Sequence, residues 1–97
     1  MLQALSRETV QRVIDLARDR NAGNRQALFD LLTVMSPDER AELMALLWIG
    51  RGDEATSSWA ATVQYARDHS DKGDVAYIMT KDPLPDYLAK GLEALGL

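Results

Sequence analysis

Apolar residues recur along this chain at helical spacing, and nowhere do they alternate as in a half-buried strand. The first periodic segment runs from Arg7 to Arg20, with Val10, Val13, Ile14 and Ala17 on one face. Ser6 stands at its N-cap position, and Leu5 and Val10 have hydrophobic-staple spacing. Asn21 to Asn24 interrupts the pattern. A second segment, Arg25 to Val34, carries Leu28, Leu31 and Leu32, with Met35 following on the same face.

The sequence Ser36-Pro37-Asp38-Glu39 predicts the start of a third helix. Ser36 caps it, Pro37 fits the first helical position, and Glu39 completes a capping box. Its polar residues crowd the first turns, and every residue from Leu43 to Ile49 is apolar. A helix that is apolar all round is surrounded by other elements. It is therefore either the centre of the fold or part of a subunit interface, for which Leu43, Leu47 and Ile49 are the candidate residues.

This run stops at Gly50-Arg51-Gly52-Asp53. Gly50 is expected to take a positive φ and close the helix, leaving Arg51 near the negative end of the helix dipole. Gly52 lets the chain turn again, and Asp53 is placed to cap a fourth helix from Glu54 to His69. Ala55, Trp59, Thr62, Val63 and Ala66 form the apolar stripe of that helix. Ser70 to Asp74 reads as a turn, with Asp74 placed to cap a short helix over Val75 to Thr80. A last helix is expected from Pro85 to Leu95, with Leu84, Leu88, Leu92 and Leu95 along its apolar side. Gly91 falls within that side and costs about 1 kcal/mol relative to alanine, which implies close approach of a neighbouring helix or of a large ring such as Trp48 or Trp59. The expected fold class is all-α: one helical domain over residues 1–97, a compact bundle of four main helices plus one short helix.

Length and composition narrow the function. Ninety-seven residues suffice for one modest core. The absence of cysteine removes disulfides, thiolate metal sites and cysteine nucleophiles. The opening Met1 to Val10 lacks the basic and long apolar regions of a secretory signal, and no apolar run has the length of a membrane span, so a soluble cytoplasmic protein is expected. The net charge of −4 argues against nucleic acid as a partner. That charge is uneven, +2 over residues 1–29 and −6 over the remainder, but the arginines alternate with acids and no aromatics lie among them.

Catalytic and metal chemistry find few residues. His69 is the single histidine and sits at an expected helix end, where the dipole favours a solvated imidazolium. Asp68, Asp71 and Asp74 do not have the spacing of a calcium loop. Ser57 and Ser58 have no strand-to-helix elbow around them. The pairs Glu39 with Glu42 and Asp82 with Asp86 read as solvated acids. No metal, cofactor or catalytic residue is expected. Arg51 could grip a carboxylate or phosphate through its guanidinium, and Trp48, Arg51, Asp53 and Trp59 form the candidate ligand set.

Two stretches carry a family resemblance. Ala41, Glu42, Leu43, Ala45, Leu46, Trp48, Gly50, Arg51 and Gly52 match the motif A-E-L-x-A-L-x-W-x-G-R-G of a family of small bacterial proteins classed as a domain of unknown function. Asp86, Tyr87, Leu88, Gly91 and Leu92 match its later motif. The resemblance implies an all-helical bacterial protein and no particular activity. The favoured expectation is a non-enzymatic protein-protein interaction module, with self-association as a homodimer as one form of it. The alternative is a small-ligand or anion-binding domain around Trp48 and Arg51, and the third is an enzyme of unknown type.

Overall fold

The computed structural model describes residues 2–19, 21–70 and 73–97. Among them are six α-helices and no strand: α1 (Arg7–Arg18), α2 (Ala22–Val34), α3 (Pro37–Arg51), α4 (Trp59–Asp68), α5 (Asp74–Thr80) and α6 (Leu84–Ala94). A 3-10 turn, Thr56–Ser58, leads into α4. The all-α class stands, but five helices have ten residues or more and only α5, with seven, is short. The second helix also differs in where it starts. Asn21 caps it by accepting the Asn24 N–H at 2.8 Å, so α2 starts at Ala22 rather than Arg25. The stretch expected to break the chain begins a helix instead.

Ser6 and Ser36 behave as their positions predict. The Ser6 hydroxyl accepts the Thr9 N–H at 3.1 Å. At Ser36 both halves of the capping box are present, with the Ser36 hydroxyl accepting the Glu39 N–H and the Glu39 carboxylate accepting the Ser36 N–H.

The centre of the fold is α3, packed along α6 and against α4; α1 packs on α6 and α2, and α2 touches α5. Leu43, Leu46, Leu47 and Ile49 are all buried within the chain. Of the two expectations for this all-apolar helix, the central one describes it. Leu43, Leu47 and Ile49 offer no surface to a partner, because the other helices already cover them.

Gly50 departs from its expected role. It remains helical, and Gly52 holds the positive φ of 85°. The Gly52 N–H donates to Ile49 O and the Asp53 N–H to Trp48 O, the bond pair of a Schellman ending. The reason for a glycine at position 50 lies across the core. A Cβ there would sit 1.7 Å from the Tyr87 carbonyl oxygen, and a Cβ on Gly91 would sit 2.4 Å from the Leu46 carbonyl oxygen. Two glycines thus let α3 and α6 cross backbone against backbone, nearer than side chains at the contact normally permit. The close approach expected at Gly91 is made by α3, not by a tryptophan ring.

Other boundaries shift for local reasons. Asp53 does not cap the fourth helix. Its carboxylate pairs with Arg51 at 3.1 Å, and α4 begins only at Trp59, after the 3-10 turn. Ala55 is consequently exposed, while Trp59, Thr62 and Ala66 are buried and Val63 is half-buried. Asp74 is the first residue of α5 rather than its cap, and it is buried. Arg20, the expected end of the first helix, lies outside the described residues; α1 ends at Arg18.

Candidate functional site

Two regions carry exposed chemistry, and the end of α3 is the first. Trp48 is half-buried, and its indole Nε1 donates to the Tyr77 hydroxyl of α5 at 2.9 Å. The Tyr65 and Tyr77 rings meet it edge-on, with centroids 5.9 and 6.5 Å away. Tyr65 in turn stacks on His69 at 4.0 Å, and the Lys81 ammonium lies 4.1 Å from the Tyr77 centroid. His69 Nδ1 lies 2.8 Å from the Tyr65 carbonyl oxygen; since that oxygen only accepts, Nδ1 carries the proton. Five side chains, three from helices α3, α4 and α5 and two from the residues just after α4 and α5, thus form one continuous ladder.

Beside Trp48 opens a cleft of about 290 Å³, lined by Trp48, Asp53, Glu54, Thr62 and Tyr65. The four residues of the candidate ligand set do not converge on it. Trp48 and Asp53 line it. Arg51 does not, and its guanidinium is held by Asp53. Trp59 is buried in the core. The anion-binding expectation required an arginine free to meet a ligand, whereas the cleft carries carboxylates and the arginine is already paired. That pair is about one-third exposed on the arginine side and nearly half on the other, so it contributes about 0–1 kcal/mol.

The half-buried position of Trp48 moderates the effect of removing it. A fully buried tryptophan costs about 3–5 kcal/mol on truncation to alanine, and Trp48→Ala is expected to cost less, about 2–3 kcal/mol. Denaturant unfolding measures this, and a midpoint equal to the parent's would contradict the Tyr77 bond and the packing described.

The second region is an apolar groove where α1, α2, α5 and the start of α6 meet. It has a volume of about 420 Å³ and is walled by Leu16 and Ala17 of α1, Leu28 and Phe29 of α2, Met79 of α5 and Leu84 of α6. Arg25 lies on its border and also lines an adjoining recess of about 320 Å³, together with Ala22, Gln26, Phe29 and Met79. Phe29 is 46% exposed, unusual for so large an apolar side chain. The Arg25 side chain makes no ion pair or hydrogen bond to any described residue.

Sequence reasoning missed three features here. Phe29 is in an expected helix, but its exposure depends on how four helices meet, which no local pattern encodes. Glu42 reads as a solvated acid, yet it is 4% exposed. Its carboxylate accepts the N–H groups of Gln3, Ala4 and Leu5 at 2.8, 3.0 and 2.8 Å, fixing the segment that leads into α1. A signal existed: Glu42 shares a helical stripe with Leu46 and Ile49. Arg40 donates to the carbonyls of Leu32 and Met35 at 3.3 and 2.6 Å, and its Nε lies 3.9 Å from the buried Asp74. It joins the end of α2 to α3 and α5.

Metal binding finds no support, for no group of three or more potential ligands converges among the described residues; Asp71 of the tested acidic stretch lies outside them. No helix among them is long and apolar enough to cross a membrane.

No curated protein and no solved structure matches the chain significantly. A family model does match, over residues 25–97. This span includes both sides of the α3–α6 crossing, so Gly50 against Tyr87 and Gly91 against Leu46 lie wholly within it. The chain belongs to the DUF3775 family, described as proteins of unknown function.

Proposed function

We propose that this protein is a non-enzymatic, cytoplasmic interaction module whose binding face is the groove bordered by Phe29 and Arg25. The observation that carries this reading is the groove's apolar wall, with Phe29 left half-exposed and Arg25 unpaired beside it. Exposed apolar surface framed by polar groups is characteristic of protein contacts. An amphipathic helix from a different protein suits it, with apolar residues entering the groove and a carboxylate meeting Arg25. A symmetric contact between two copies is disfavoured on this face, because a twofold axis near Phe29 brings the two Arg25 side chains towards each other.

The test is selection of amphipathic helical peptides from a library on the parent protein. Peptides combining an apolar stripe with acidic residues are expected, and Phe29→Asp is expected to weaken them tenfold or more, as loss of a central aromatic contact does. Selected peptides that bind Phe29→Asp equally well would refute this face. Sedimentation across concentration should show a monomer. A dimer broken by Phe29→Asp would make the occupant a second copy and overturn the proposed partner.

A further inference from the structure

The cleft beside Trp48 has a charge balance and a lining that the groove does not use. Two carboxylates lie on it, those of Asp53 and Glu54. The Asp53 charge is offset by Arg51 at 3.1 Å. Glu54 makes no ion pair or hydrogen bond to any described residue, so the cleft carries one uncompensated negative charge. Trp48 and Tyr65 add aromatic rings. Thr62 adds a hydroxyl: the residue is 5% exposed, lines the cleft, and makes no side-chain hydrogen bond to any described residue. The hydroxyl is not sealed from solvent, since the one fully buried polar side-chain atom without a partner among the described residues is Arg40 Nε, so a polar group in the cleft can reach it.

We propose that this cleft binds a small organic monocation, an ammonium group bearing alkyl substituents and a hydrogen-bonding group nearby. Aromatic rings attract such a cation through their quadrupoles, and the alkyl substituents reduce its cost of leaving water. Glu54 neutralises the charge, and Thr62 meets the polar group. The volume of about 290 Å³ matches a ligand of a few heavy atoms. An anion would face Glu54 unscreened. Two sources present this chemistry, a free alkylammonium alcohol and a methylated lysine side chain of another protein. The proposal is independent of the groove, and Phe29→Asp should leave it unchanged.

Choline, its neutral carbon isostere 3,3-dimethylbutan-1-ol and a peptide containing trimethyl-lysine serve as probes. The indole N–H signals of Trp48 and Trp59 provide the readout by nuclear magnetic resonance, assigned with Trp48→Phe. Choline is expected to shift the Trp48 signal saturably, with a Kd of about 1 mM, while Trp59, buried in the core, stays still. The neutral isostere should bind about tenfold more weakly, and Glu54→Gln should weaken choline about fivefold while leaving the melting temperature unchanged. Tighter binding of the peptide than of choline assigns the source to a protein side chain; the reverse assigns it to a free cation. Equal binding of choline and the isostere, or no saturable shift with either cation, overturns the proposal.

Discussion

Replacing Gly50 by alanine is expected to unfold the protein or come close to it. In a helix interior this substitution normally stabilises by about 1 kcal/mol. Here the added methyl would lie 1.7 Å from the Tyr87 carbonyl oxygen and 3.1 Å from the Gly91 nitrogen. Neither neighbour is a flexible side chain that can turn aside. α3 and α6 must separate, and the leucines packed between them lose contact along the whole crossing. We expect a loss of about 3–5 kcal/mol, a large part of the stability of a domain this size. Gly23 provides the contrast. It too is helical, and an added Cβ there meets only Asn21 Oδ1, at the ordinary distance of 3.4 Å. Gly23→Ala should be neutral or stabilise by up to about 1 kcal/mol. Denaturant unfolding of the two variants gives opposite signs if the crossing is as described. A Gly50→Ala variant as stable as the parent would mean the helices are further apart.

The second large effect is expected at Glu42. Glu42→Ala removes a buried carboxylate that accepts three backbone N–H groups. The Leu5 N–H is buried and would lose its partner, whereas Gln3 and Ala4 can turn to water. Charge-assisted bonds of this kind contribute about 1.5–3 kcal/mol each, and solvent recovers part of the sum. We expect a loss of about 3 kcal/mol, with faster amide exchange at Gln3, Ala4 and Leu5. Glu42→Gln should fall between, because an amide retains one accepting oxygen and presents an NH2 group where the other oxygen accepted. Exchange at these three amides unchanged by Glu42→Ala would show that the carboxylate does not hold the segment.

These two residues also mark what the sequence could and could not disclose. Local signals were legible where a side chain acts on its own turn. Ser6 and the Ser36 box are of this kind, and so is the burial of an all-apolar helix end. Gly91 was legible because a glycine on an apolar face needs a neighbour. Gly50 was not, since Gly50 and Gly52 both follow an apolar run and either could close the helix. Only the Tyr87 carbonyl, 37 positions away, separates their roles. Asp53 was misread for a related reason: capping a helix and pairing with Arg51 are both open to an aspartate after a glycine, and the 3-10 turn that delays α4 to Trp59 left it to the arginine. The groove and the cleft each draw residues from several elements, so neither has a signature in any one stretch.

The family motif takes on physical content in this light. Glu42 holds the segment before α1, Trp48 ties α3 to α5, Gly50 admits α6, and Gly52 ends the helix. All four are accounted for by folding, and of them Trp48 also lines the cleft at the end of α3.

The most direct measurement is a double-mutant cycle on Gly50→Ala and Gly91→Ala, made in trimethylamine N-oxide so that the single variants remain folded. If both glycines serve one backbone crossing, the first substitution already forces the helices apart, and the second then meets less resistance. The double variant should cost at least about 1 kcal/mol less than the sum of the singles. Additivity to within about 0.5 kcal/mol would contradict a shared crossing and would return the motif to the candidates for a binding role.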